Sequence, residues 1–189
     1  QFFLYQFAFS LFTQNFVLFA ERRFTTSAGL PWGPHEVGWV FAYSGFLGII
    51  LQGGILGRLV KKFGEGPIIL AGFASTVVAY CLLGATETVT LLIVVSTIAA
   101  FGNGVLRPAL TSRITQAVGR DEQGTALGIS QAFGSIAMIL APPTGGFLIG
   151  EGWLPAWAIV AAIVSAAGLG VAMTYRKPAP TAPATPVAP

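Results

Sequence analysis

The sequence predicts an all-α membrane protein: six transmembrane helices built as a 3+3 inverted repeat. Three observations predict it. Hydrophobic residues make up 54% of the 189 positions and charged residues 9%, with a mean hydropathy of +0.75, whereas a soluble domain covers its surface with about 25% charged residues. The apolar residues gather into six runs, each close to the ~20 residues a helix needs to cross the hydrocarbon core. The densest positive patch, Arg58, Lys61 and Lys62, falls between two of these runs, and basic connections of this kind stay on the cytoplasmic side of a membrane.

The first span is expected over residues 2–20. Glu21, Arg22 and Arg23 stop it, since each charge costs about 2.5 to 3.5 kcal/mol at a bilayer centre on insertion scales. Gly29, Pro31, Gly33 and Pro34 break the helix in a loop over 24–36, with Trp32 and Trp39 placed to anchor at the interface. The second span covers 37–59. A basic connection follows, and Pro67 then suits the first turn of the third span, 67–84. Residues 86–88 form a tight turn. The fourth span covers 89–111 and leads into an amphipathic extension with Arg113, Gln116, Arg120, Asp121 and Glu122. The fifth, 125–149, contains Pro142, Pro143, Gly145 and Gly146, breakers that membrane helices tolerate where neighbours re-satisfy the freed backbone, so a kink is expected there. After a turn at 151–155, the sixth span covers 156–175. Residues 1–177 thus form one six-helix unit, and 178–189, rich in Pro and Ala, a disordered cytoplasmic tail.

Orientation follows from counting cations. With the connection at 58–62 inside, that side holds seven, Arg58, Lys61, Lys62, Arg113, Arg120, Arg176 and Lys177, against Arg22 and Arg23 outside. Both ends of the chain are then cytoplasmic. The net charge of +3 does not imply nucleic acid as a partner, because the cations sit between spans and form no single face. The lone cysteine, Cys81, lies in an apolar run and is expected to be a small buried hydrophobe. The chain opens at Gln1 directly in an apolar run, without the layout of a signal peptide, and reads as a fragment.

Polar residues pick out which spans line a polar space. Gln6, Ser10, Thr13 and Gln14 share one face of the first span. Ser96, Asn103, Arg107 and Thr111 form a stripe on the fourth, and Gln131, Ser135, Met138 and Pro142 on the fifth; Tyr43, Ser44 and Gln52 form a weaker one on the second. The third and sixth spans carry isolated hydroxyls such as Ser75 and Ser165 and read as lipid-facing supports. The order lining, lining, support then repeats, as in an inverted 3+3 repeat. Ser10, Thr13, Ser44 and Ser96 are expected to join helices, which such residues do for less than about 2 kcal/mol. For Gln14, Asn103 and Gln131, joining and lining stand level. The cavity candidates are Gln14, Tyr43, Gln52, Asn103, Arg107, Gln131, Ser135 and Met138.

Several motifs carry a resemblance. Gly57, Arg58, Lys61, Lys62, Gly64 and Glu65 match the connection between the second and third helices of a half-transporter, Gly–acid–Gly–basic pair, with the charges of Lys61 and Glu65 exchanged. The run from Gly102 through Arg107 and Pro108 to Ser112, followed by Asp121, Gln123 and Gly124, is similar to a fourth-to-fifth-span connection. Ala141-Pro-Pro-Thr-Gly-Gly resembles an antiporter Gly-Pro-x-x-Gly-Gly signature, with Ala141 in place of its first glycine. On these motifs residues 2–175 resemble the C-terminal half of a major facilitator superfamily transporter, above all the drug/proton antiporters related to tetracycline efflux pumps.

The resemblance implies proton-coupled efflux of a small, partly apolar molecule by alternating access. It also implies a plasma or bacterial inner membrane, with lipid, an N-terminal six-helix half, the substrate and protons as partners. An uptake permease for a sugar or organic anion, which Arg107 would suit, is the alternative within transport. A non-transporting six-helix scaffold is the alternative of another class. No cofactor and no enzyme site are expected: His35 lies in a loop, and the seven acids fall at span ends or in loops without pairing as acid and base. The proton-carrying carboxylate is accordingly expected in the other half.

Overall fold

A computed structural model describes residues 1–174; the tail and the last cations of the sequence reading, residues 175–189, lie outside it. Six helices are long and apolar enough to span a membrane. We label them α1 (Phe2–Arg23), α2 (Pro34–Phe63), α3 (Glu65–Gly84), α4 (Val89–Gln116), α5 (Gln123–Gly150) and α6 (Leu154–Thr174).

The helices overrun the expected spans because charged residues form good helical turns once outside the hydrocarbon. Glu21, Arg22 and Arg23 are the last turn of α1, where the cations face the negative end of the helix dipole. Likewise the basic connection is no loop: α2 continues through Arg58, Lys61 and Lys62 to Phe63, and only Gly64, at φ 79°, separates it from α3. A left-handed φ of this kind is open to glycine and strained for other residues. At the other end of α2 the Glu36 side chain accepts a hydrogen bond from the Gly33 N–H at 2.9 Å, and Pro34 opens the helix.

The principal pairings are α3 with α4, α3 with α6, α1 with α5, α1 with α6 and α2 with α4. Exchanging α1 with α4, α2 with α5 and α3 with α6 maps this set onto itself. Successive spans run in opposite directions, so a repeat unit of three helices is necessarily inverted, and the packing has the symmetry of the inverted 3+3 repeat. Close approach is made by glycines. A side chain at Gly102 would meet Thr76 and the Gly72 carbonyl of α3, and one at Gly168 of α6 would meet the Phe73 ring of α3. Small residues let helix backbones approach where lipid offers no hydrophobic drive between helices.

Two apolar clusters fill the bundle. One draws on all six helices around Phe12, Phe16, Phe19 and Trp157, and the other joins α3, α4 and α6 around Phe73, Leu106 and Ile69, with Tyr5 of α1 and Leu51 of α2. Trp157 is fully buried, and its indole N–H donates to the Leu11 carbonyl at 3.1 Å. Trp32, expected as an interface anchor, instead packs on Phe24 with ring centroids 4.9 Å apart, while Trp39 is exposed. Cys81, expected to be buried, is exposed on α3. The supports α3 and α6 are covered much as α1 and α4 are, and the least covered helices are α2 and α5.

Hydrogen bonds tie the loops of each end together. Arg23 Nε donates to the Thr86 carbonyl at 2.7 Å and its guanidinium pairs with Glu87 at 3.3 Å, while Arg22 donates to the Ile149 and Gly150 carbonyls. These bonds gather residues 24–33, 85–88 and 151–153 at one end, leaving Arg58, Lys61, Lys62 and Arg113 at the other.

Candidate functional site

Along one side of the bundle α1, α2 and α4 enclose a cavity of about 870 Å³, within the range of small-molecule sites. No residue of α3, α5 or α6 lines it. Its composition changes with depth along α4, which contributes the face bearing Ser96, Asn103, Arg107 and Thr111. At 1.5 Å of rise per residue these positions descend in steps of roughly 6 to 10 Å, so polar groups recur at several levels of one wall.

The facing wall is aromatic. Tyr5, Phe9 and Phe12 recur at helical spacing on α1, and Phe41 faces them from α2. The signal for these was present, since positions 5, 9 and 12 share one face of a helix. Ordinary apolar filling is the usual meaning of such a stripe in a membrane span.

Of the sequence candidates, Gln52, Asn103 and Arg107 line this cavity. The amide of Asn103 reaches the hydroxyl of the fully buried Tyr80 at 3.5 Å, and its Oδ1 is buried without a hydrogen-bond partner among the described residues. Arg107 is exposed into the cavity and makes no hydrogen bond or salt bridge among those residues. Pro108, next to it, has no N–H to give to the Gly104 carbonyl one turn back. Gln52 sits in a widened turn of α2, Leu51–Ile55, where the Leu56 N–H bonds back to the Leu51 carbonyl. Such π-type turns concentrate at functional sites, and Leu51 inserts against Gly104 of the α4 wall.

The other five candidates lie elsewhere. Tyr43 turns its hydroxyl to Thr97 of α4 at 2.9 Å. Gln14 leaves the cavity face of α1 and reaches the Met138 carbonyl of α5 at 3.5 Å. That carbonyl is the one Pro142 leaves without its helical donor, so the side chain of α1 compensates the break in α5. Gln131, Ser135 and Met138 are exposed on α5. Their stripe is offset by one residue from the buried stripe Gly134, Ala137, Ala141 and Gly145 that packs on α1, a rotation of about 100° around the helix. Helix α5 runs unbroken through Pro142 and Pro143. Gly145 is pressed against the Asn15 side chain, with Gly146 beside it.

Asn15 is a residue that the sequence reading missed. It is 2% exposed, and its amide donates to the Leu11 carbonyl at 3.1 Å and to the Ala141 carbonyl at 3.4 Å. An asparagine beside Gln14 in an otherwise apolar span was the available signal.

In the basic connection Gly57, Arg58, Lys61 and Lys62 are exposed on the last turns of α2, with Lys62 Nζ 5.2 Å from the Phe63 ring centre. Glu65 opens α3 and accepts hydrogen bonds from Ser112 Oγ at 2.5 Å and Gln116 Nε2 at 2.7 Å. The residue just past the Gly64 turn thus clamps the start of α3 to the last turns of α4.

Residues 1–189 match the Major Facilitator Superfamily. Among curated proteins the chain is 28% identical over 170 residues to "Tetracycline resistance protein, class D" of Salmonella ordonez, covering 88% of this chain and 41% of that protein. It is 27% identical over 177 residues to "Multidrug resistance protein 2" of Bacillus subtilis, covering 93% and 42%. With "Tetracycline resistance protein, class C" of Escherichia coli it shares 31% identity over 126 residues, covering 67% and 30%. The chain spans less than half the length of these curated relatives.

Proposed function

This chain belongs to the Major Facilitator Superfamily, and from that premise we propose that it is the C-terminal half of a secondary transporter that exports a small, partly apolar molecule in exchange for protons. The observation that carries the reading is the cavity of α1, α2 and α4, whose residues Gly45, Gln52 and Arg107 remain exposed. A second six-helix half facing it would complete the enclosure, and rocking of the two halves about the enclosed site gives alternating access. The thinly covered helices α2 and α5, including Gln131, Ser135 and Met138, supply surface for that contact. The relatives named for resistance to tetracycline and to multiple drugs support efflux. None of the seven acids lines the cavity, which supports a proton-carrying carboxylate in the other half. The membrane is the plasma or bacterial inner membrane.

The decisive experiment is flux into proteoliposomes or inverted vesicles carrying the full-length gene product, with tetracycline as the probe. Accumulation driven by an imposed proton gradient and abolished by a protonophore is expected, and the 189-residue chain alone should give none. Gradient-independent flux, or coupled transport by the 189-residue chain alone, would refute the reading.

Topology is checked separately. The end holding Arg58, Lys61 and Lys62 is placed in the cytoplasm and residues 24–33 outside. A cysteine introduced at Gly29, in the exposed part of the outer loop, should react with an impermeant maleimide added to intact cells, and one at Lys61 only after the membrane is opened. The reverse pattern would invert the assignment.

A further inference from the structure

We propose that the cavity takes an amphipathic organic anion: an aromatic body carrying one carboxylate or comparably acidic group. The assignment rests on reading this cavity as the transport site. It follows from what the walls hold and where. Phe9, Phe12 and Phe41 contribute aromatic rings to the lining, and Arg107 on α4 is the one cation among the described residues that line it. No carboxylate lines the space. The acid nearest in the bonding network, Glu65, is engaged by Ser112 and Gln116.

Depth makes the isolated cation informative. Arg107 is nine residues from the C-terminal end of α4, roughly 14 Å along the axis. Its place on the wall shared with α1 and α2 turns it from lipid into the cavity. The guanidinium is exposed to the cavity, and the described residues give it no counter-charge. An anion reaching it gains a charge-assisted, two-pronged hydrogen bond in a medium where such bonds are strong. Asn103, one helical turn away, lines the same wall. A cationic substrate would meet Arg107 with no acid on these walls to offset the repulsion.

The test uses the purified full-length protein and three probes with one ring system: 1-naphthoate, 1-naphthamide and 1-naphthylmethylammonium. Equilibrium binding at pH 7 is measured by scintillation proximity. We expect the carboxylate to bind at least tenfold more tightly than the amide, and the cation most weakly. Arg107→Gln should erase that tenfold preference, with folding of the variant checked by a thermal transition in detergent that matches the parent's. Arg107→Lys should keep part of the preference, because it keeps charge and loses the planar fork. Equal or tighter binding of the cation, survival of the carboxylate preference in Arg107→Gln, or no saturable binding of any probe overturns the assignment. The transport reading fails differently: an anion preference that depends on Arg107, in a protein without proton-driven flux, leaves the anion site standing and removes the transporter.

Discussion

Gly102→Leu should abolish the folded bundle, and Gly102→Ala should already lower its stability by about 2 kcal/mol or more, the upper part of the range for overpacking a tight core. The reason is what stands opposite. A methyl carbon at position 102 would lie 2.7 Å from Thr76 Cγ2, 2.9 Å from the Gly72 carbonyl oxygen and 3.1 Å from the Thr76 nitrogen. Two of these three atoms are backbone of α3, so rotating a side chain cannot relieve the contact. Moving α3 away would also disturb its seam with α6, where Phe73 covers Gly168. The measurement is thermal unfolding in detergent, followed by the monodisperse fraction surviving each temperature, with Gly53→Ala as control because nothing lies within 4 Å of that position. A Gly102→Ala protein that melts with the parent would show that α3 and α4 are not held at this distance.

How much of this was legible beforehand depends on what each feature asks of the chain. Six spans could be read because hydrocarbon imposes one requirement, length and apolarity, that every span meets separately. Helix ends could not be placed as well, because Arg22, Arg23, Lys61 and Lys62 are costly in lipid and acceptable in a helix beyond it; the charges marked the membrane boundary, not the helix boundary. The polar stripe of α4 led to the cavity because Ser96, Asn103, Arg107 and Thr111 share one face of one helix. The stripe on α5 has equal periodicity and no place on that cavity. Periodicity fixes which residues share a face, and only tertiary packing fixes which way the face turns. Gln14 shows this within one side chain: it continues the face of Thr13 in the sequence, and in the fold it bonds to the Met138 carbonyl left over by Pro142. No property of α1 alone contains that partner.

Asn15→Asp should be the most damaging near-isosteric change on α1, costing several kcal/mol, on the scale of about 3 to 5 kcal/mol for an uncompensated buried charge. Asn15 is enclosed between α1 and the stretch Ala141-Pro-Pro-Thr-Gly-Gly, and both bonds given by its amide go to carbonyls, Leu11 and Ala141. An ionised aspartate of the same shape has acceptors only, so it would set negative oxygens against two carbonyl oxygens in an enclosed site. Asn15→Leu should be milder. It forfeits the bond to Ala141, worth about 1 kcal/mol net, and the Leu11 carbonyl keeps its own helical donor. Its branched methyls must still fit against Gly145, where even a single added carbon would strike the present side chain. The expected order of thermal stability is parent, then Asn15→Leu, then Asn15→Asp. An introduced disulfide between α1 and α5 away from position 15 should recover the leucine variant further than the aspartate one, because a tether restores helix proximity and leaves the buried charge in place. If the aspartate variant proved as stable as the parent, Asn15 would be reached by water or by a cation, and the seam between α1 and α5 would be a wet face.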